Sequence, residues 1–149
     1  MKTINIRDRK NAITLLKRLS LKDYESQDIR ITNMHLKDLN DQLGAIIFAK
    51  NDLYVLASTI WEITQPIGKS NKHHHFHGLT IEQLYETLLN AHNSEEVIES
   101  HDSRYVIVTS SLNETNENFV LIVEINASLT NDRNARINKL ITIYPRRKK

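Results

Sequence analysis

Three β-prone runs in the second half constrain the fold of this chain more than any other feature. Arg104 to Ser111 alternates Arg104, Val106, Val108 and Ser110 against Tyr105, Ile107, Thr109 and Ser111, and neither set is strongly polar. Phe119 to Asn126 is apolar apart from Glu124 and Asn126, as expected of a strand in mid-sheet. Leu112 to Asn118, rich in Asn, Glu and Thr, supplies a hairpin loop between them. A second polar loop, Ala127 to Ala135, leads into Ile137 to Tyr144. There a period of two puts Ile137, Ile141 and Ile143 on one face, and Arg136, Asn138, Thr142 and Tyr144 on the other together with Leu140. Pro145 closes the run. The expected product is an antiparallel meander, with Val97-Ile98 as a short edge strand.

A sheet of this kind needs a helical layer over one face, and the best-defined helix start lies just before it. Thr80 is placed to cap the helix and Gln83, three residues on, to reciprocate. Leu79 and Leu84 have the spacing of a hydrophobic staple. Behind the cap, Ile81, Leu84, Tyr85, Leu88 and Leu89 recur on one helical face, leaving Glu82, Gln83, Glu86 and Asn90 to solvent. Upstream, residues 8 to 19 set Ala12, Ile13, Leu16 and Leu19 on one stripe of a basic amphipathic helix. Leu21 to Arg30 reads as a connection. Asn33 is a candidate cap for a helix from Met34 to Leu43, ended by Gly44, and His35 in its first turn reads as a surface side chain. Ala45 to Ala49 and Leu53 to Ile63, joined by Lys50-Asn51-Asp52, read as a hairpin whose second half is also compatible with a helix. The fold class is therefore α+β, with helices packed on one face of an antiparallel sheet and the opposite face left available.

At 149 residues the chain has the size of a single domain, 1–149. Within it, residues 1–60 form a helical and hairpin N-terminal part, 73–145 the core, and 146–149 a basic tail. No apolar run approaches the length needed to span a bilayer, so no membrane partner is implied. With no cysteine, a thiolate metal site and a disulfide framework are both excluded. Charge is segregated. Lys2, Arg7, Arg9, Lys10, Lys17, Arg18 and Lys22 against Asp8 give residues 1–22 a net +6, and seven cations against no carboxylate give 133–149 a net +7. The middle is left at −11 within an overall +2. Basic ends that meet in the fold would form a polyanion surface, with Arg146, Arg147, Lys148 and Lys149 neutralising phosphates; ends that only offset the acidic middle would not.

The chemistry-bearing stretch is Lys72-His73-His74-His75-Phe76-His77-Gly78, which runs directly into the capped helix. A helix N-terminus favours anions, and histidine near its ordinary pKa of about 6.5 serves as proton donor or acceptor. Cleaving RNA by internal transfer needs a base for the 2′-hydroxyl, an acid for the departing 5′-oxygen, and donors for charge building on phosphorus. Arg104 or Arg136 suits the last role, while Thr142 and Tyr144, two apart on one strand face, suit holding the phosphate or stacking a base. A metal held by His73, His74, His75 and His77 is the chemical rival. Its further ligands, His101 or Glu99, lie at no standard spacing, and the reading calls for no metal and no cofactor.

The histidines opening a Leu-Thr-x-Glu helix, then Arg104-Tyr105-Val106-Ile107-Val108, then Phe119 to Ile125, then Ile137 to Pro145 with its Ile-Thr-Ile-Tyr ending, together resemble the phage and polymorphic-toxin branch of the barnase, EndoU, colicin and RelE-type nuclease superfamily. The resemblance covers about half the chain. It implies a barnase/EndoU-like α+β fold and metal-independent RNA cleavage. It matches His75 or His77, Arg104, Thr142 and Tyr144 to active-site positions; Arg136 and Asn138 on the available strand face, and Arg146 and Arg147 in the basic tail, are the expected substrate contacts. The partners it implies are RNA and an immunity or antitoxin protein, in the cytoplasm or in the cytoplasm of a target cell. The contrasting expectation is a noncatalytic interaction module of the immunity or antitoxin kind.

Overall fold

The computed structural model describes residues 1–24, 27–67 and 76–146. Its elements are β1 (Lys2–Asn5), α1 (Arg9–Ser20), β2 (Asp28–Thr32), a 3-10 turn (Leu36–Leu39) running into α2 (Asn40–Leu43), β3 (Leu53–Leu56), α3 (Ala57–Thr64), α4 (Ile81–Leu89), a second 3-10 turn (Ala91–Asn93), β4 (Glu96–Glu99), β5 (Arg104–Leu112), β6 (Asn118–Leu129) and β7 (Asp132–Pro145). The strands make one seven-stranded sheet in the order β1-β2-β3-β7-β6-β5-β4.

The fold class is α+β, but the sheet is mixed rather than antiparallel. The expected meander is there, β4 to β7 pairing antiparallel throughout. The N-terminal part adds two parallel pairings, β1 with β2 and β3 with β7. The first arises because α1 carries the chain back over the sheet between β1 and β2, a connection that restores strand direction. In place of the expected hairpin over 45–63, residues 45–49 form no strand, and Leu53–Leu56 is followed at once by α3. That helix buries Ala57, Ile60 and Ile63 at helical spacing. The helix expected from an Asn33 cap begins instead after His35, and both residues adopt left-handed backbone, at φ 62° and 56°. Gly44 ends α2 at φ 64°, as its position implied.

The helix α4 forms where its cap dictates. Thr80 Oγ1 accepts from the Gln83 amide at 3.1 Å, and the Gln83 side chain accepts from the Thr80 amide at 2.9 Å. Leu79, Leu84 and Leu88 are buried in the same core as Leu16, Ile60, Phe119 and Ile143. Each such leucine contributes about 1.5–3 kcal/mol and the cap about 1 kcal/mol, so packing dominates and the cap sets the starting residue. This core takes side chains from the N-terminal strands and from the meander alike. Among the described residues no helix is long and apolar enough to cross a membrane.

A bulge decides which way β7 looks. Ile122 pairs with Thr142 but Val123 pairs with Leu140, so Ile141 is an extra residue and the alternation inverts below it. Leu140 therefore enters the core beside Ile143 instead of joining Thr142, and Asn138, opposite Leu53, goes in rather than out. A second irregularity in β6, between Glu124 and Ala127, includes Asn126 at φ 56°. By register, the face opposite the core, covered by no helix among the described residues, carries Arg30, Tyr54, Lys139, Thr142, Tyr144, Val120, Ile122, Glu124, Arg104, Val106 and Val108.

Candidate active site

The segment entering α4 is fixed to the end of α3. The Gly78 amide donates to the Gln65 carbonyl at 2.8 Å, and the Leu79 amide to the Ile63 carbonyl at 3.1 Å. Phe76 packs edge-on against Trp61, with ring centroids 5.5 Å apart. Gly78 sits at φ 67°, a left-handed turn that strains any residue with a Cβ. This turn lets Leu79 drop into the core while His77 stays half-buried beside the sheet. There the His77 ring meets Tyr144, with centroids 5.8 Å apart and planes inclined at 42°.

Thr142 lies two residues before Tyr144 on the same face. Its side-chain oxygen is buried and has no hydrogen-bond partner among the described residues. An orphaned buried hydroxyl costs about 1–3 kcal/mol unless something reaches it, and such groups warrant a search for what they serve. Arg146 continues the alternation. Its amide donates to the Asn118 carbonyl at 2.7 Å, and its guanidinium pairs with Glu96 at 3.3 Å, linking the end of β7 to β4 across two intervening strands. On that end of the face, in the row of Tyr144, Val108 and Val120 are buried.

The remaining candidates do not converge on His77. Arg104 pairs with Glu124 at 3.4 Å, directly across the β5–β6 ladder. That row lies four residues along β6 from the Val120–Tyr144 row, or roughly 13 Å at ordinary strand rise. Arg136 is eight residues before Tyr144 on β7, roughly 25 Å away. Its guanidinium is engaged by the Arg133 and Ala135 carbonyls, both at 2.9 Å. Asn138 is buried, and its amide donates to the carbonyls of Lys50 at 2.8 Å and Asp52 at 3.1 Å. The bulge thus turns Asn138 into a structural tie, which corrects its reading as an open-face substrate contact. His75 and Arg147 fall outside the described residues, as do His73 and His74.

Of the other groups considered as metal ligands, His101 is exposed and pairs with Asp102 at 3.3 Å, and Glu99 is also exposed. Among the described residues no group of three or more histidines and carboxylates could hold a metal ion. Sequence reasoning missed the aromatic and basic character of the face over the N-terminal strands. Tyr54 there lies between Arg30 and Lys139 in neighbouring register positions. Nothing local in the sequence announces this, because the neighbours are 24 and 85 residues from Tyr54 and meet only through the sheet order.

The class these features define is an α+β domain with a mixed seven-stranded sheet, one face covered by no helix among the described residues, and a histidine–tyrosine contact at the head of a capped helix. Comparison of the chain with known protein families, with curated proteins and with solved structures finds no match.

Proposed function

We propose that the protein is a metal-independent RNA endonuclease of the barnase/EndoU-like kind, toxin-like in its use, which cleaves by attack of the 2′-hydroxyl. The observation that carries this reading is the contact of His77 with Tyr144 at the start of α4, beside the unbonded Thr142 hydroxyl. In this scheme His77 takes the proton of the 2′-hydroxyl as that oxygen attacks phosphorus. Tyr144 and Thr142 donate hydrogen bonds to the phosphate oxygens. The bond to the 5′-oxygen breaks as that oxygen takes a proton from solvent water, leaving a 2′,3′-cyclic phosphate on one product and a 5′-hydroxyl on the other. Arg146 is the cation nearest in sequence to Tyr144 on that face, so it takes the electrostatic part first assigned to Arg104 or Arg136.

Dispersal of the arginines favours a second reading, a noncatalytic module of the immunity or antitoxin kind, since Arg104, Arg136 and Arg146 each already have partners. One experiment separates the two. Purified protein is incubated with labelled RNA, with and without chelator, alongside His77→Ala. The nuclease reading expects chelator-resistant cleavage, cyclic or 3′-phosphate ends, and a loss of roughly 10² to 10⁴ in rate in the variant. Absence of cleavage, equal cleavage of DNA, or an unaffected folded His77→Ala would remove it.

A further inference from the structure

A second polar cluster lies at the other end of the sheet. Because β2 is antiparallel to β3 and β3 is parallel to β7, the carboxyl ends of β1 and β2 lie opposite the Tyr144 end. Loops leaving these two parallel strands bring Arg7 and His35 to His92, which follows α4. Ligands of open sheets commonly sit outside the carboxyl ends of adjacent parallel strands.

The arrangement is built rather than incidental. Asn5 Oδ1 accepts from the Arg7 amide at 3.0 Å and from the Asn33 side-chain amide at 2.8 Å, locking the two loops together. Arg7 Nε donates to the Asn33 carbonyl at 3.3 Å, which orients the guanidinium, and Nη2 lies 3.4 Å from His92 Nδ1. The His35 and His92 rings meet edge-on at 5.9 Å. Asn33 and His35 both hold left-handed backbone, a conformation uncommon outside glycine and one that recurs at functional sites. Among the described residues Arg7 has no carboxylate partner. Asp8 is engaged in capping α1 through the Asn11 amide, and Asp38 is the carboxylate whose charge reaches His92.

We propose that Arg7, His35 and His92 form a binding site for the phosphate group of a phosphate ester. A fixed guanidinium with free N–H groups, held by His92 and set beside the His35 imidazole, offers donors to several oxygens of one phosphate at once. Burial holds His92 below the ordinary imidazole range. Arg7 and His35 push it the same way, against Asp38 and a backbone hydrogen bond at Leu89. At neutral pH its ring keeps one donor, engaged at Leu89, and one acceptor facing Arg7, so His92 positions the guanidinium, and a bound phosphate would offset the positive field of Arg7. The site is independent of the nuclease reading, since it shares no residue with His77, Thr142 and Tyr144.

The test follows the imidazole signals of the full chain by ¹H–¹⁵N NMR at pH 7. Inorganic phosphate, a 5′-nucleoside monophosphate, and a dinucleoside monophosphate with only an internal phosphodiester are each titrated in. Saturable shifts at His35 and His92 but not His77 are expected with at least one ester. In Arg7→Gln the affinity should fall about tenfold or more, the worth of one charge-assisted hydrogen bond, and His92→Gln should weaken it while His35 still reports. Saturation by the monophosphate alone assigns a terminal phosphate, and saturation by the dinucleoside assigns a nucleic-acid backbone. Non-saturating shifts, saturation by inorganic phosphate but by neither ester, or equal affinity in folded Arg7→Gln would overturn the proposal.

Discussion

Replacing Asn138 with alanine separates a structural role from a substrate contact. The side chain is 4 % exposed and donates two hydrogen bonds to the turn before β3, at 2.8 and 3.1 Å. Each such bond is worth about 0.5–1.5 kcal/mol, and a buried acceptor left without a donor costs about 1–3 kcal/mol. Lys50 is exposed and Asp52 half-buried, so water can reach part of what the amide abandons and the lower half of those ranges applies. The expected loss is about 2–3 kcal/mol, a fall in Tm of roughly 4–12 °C for a chain of this length. Asn138→Asp should be worse, because it turns an acceptor toward two acceptors. Urea and thermal unfolding of both variants, with RNA binding measured on folded protein, give the comparison. A loss under about 0.5 kcal/mol in Asn138→Ala, or unchanged stability with weakened RNA binding, would refute the structural assignment.

Thr80→Ala removes the cap of α4 and should cost about 1 kcal/mol, read by urea unfolding, whereas Thr80→Ser should cost little. His92 gives a pH dependence of definite sign. Its folded pKa lies below the ordinary 6.5, so the unfolded chain binds the proton more readily. Stability from this group is full above about 6.5, declines as pH falls toward the lowered folded value, and is flat below it. His92→Gln should flatten that segment of the stability curve, and an identical slope in both proteins would count against it. Arg104→Gln should leave any RNA cleavage rate within about threefold of the parent, since Arg104 sits roughly 13 Å along the sheet from Tyr144. The loss of the partly exposed Glu124 pair should cost under about 1 kcal/mol, and a hundredfold loss of rate would return Arg104 to the site.

What could be read in advance followed from signals that are local in the chain. The cap of α4 needs only Thr80, Gln83 and the apolar stripe behind them, and the meander needs only alternation and polar loops. The elements that escaped notice are short or ambiguous. Lys2–Asn5 is four residues long, too few for a period of two to stand out. Leu53 to Ile63 is a nearly continuous mix of apolar and β-prone residues, and only packing of Ile60 and Ile63 beneath the sheet makes its second half helical. Register was the larger loss. A single inserted residue, Ile141, inverts which side of β7 faces the core, and no composition signal marks it. Only the resemblance put His77 and Tyr144 in one site, and their contact, like the positions of Arg104 and Asn138, depends on pairings that form only in the sheet.

The parallel seam between β3 and β7 is joined by two register pairs, Leu53 with Asn138 and Tyr54 with Lys139. So narrow a ladder cannot by itself make the halves of the sheet melt together. Their cooperativity has to travel through the helical layer, where α1 packs on both α3 and α4. The meander closes through hairpins between chain neighbours, while β1 and β2 must wait for α1 to fold back. Assembly should therefore run from the meander outward, with the seam closing late. In the finished molecule amides of β1–β3 should exchange through partial openings, and those of β5 and β6 only through global unfolding.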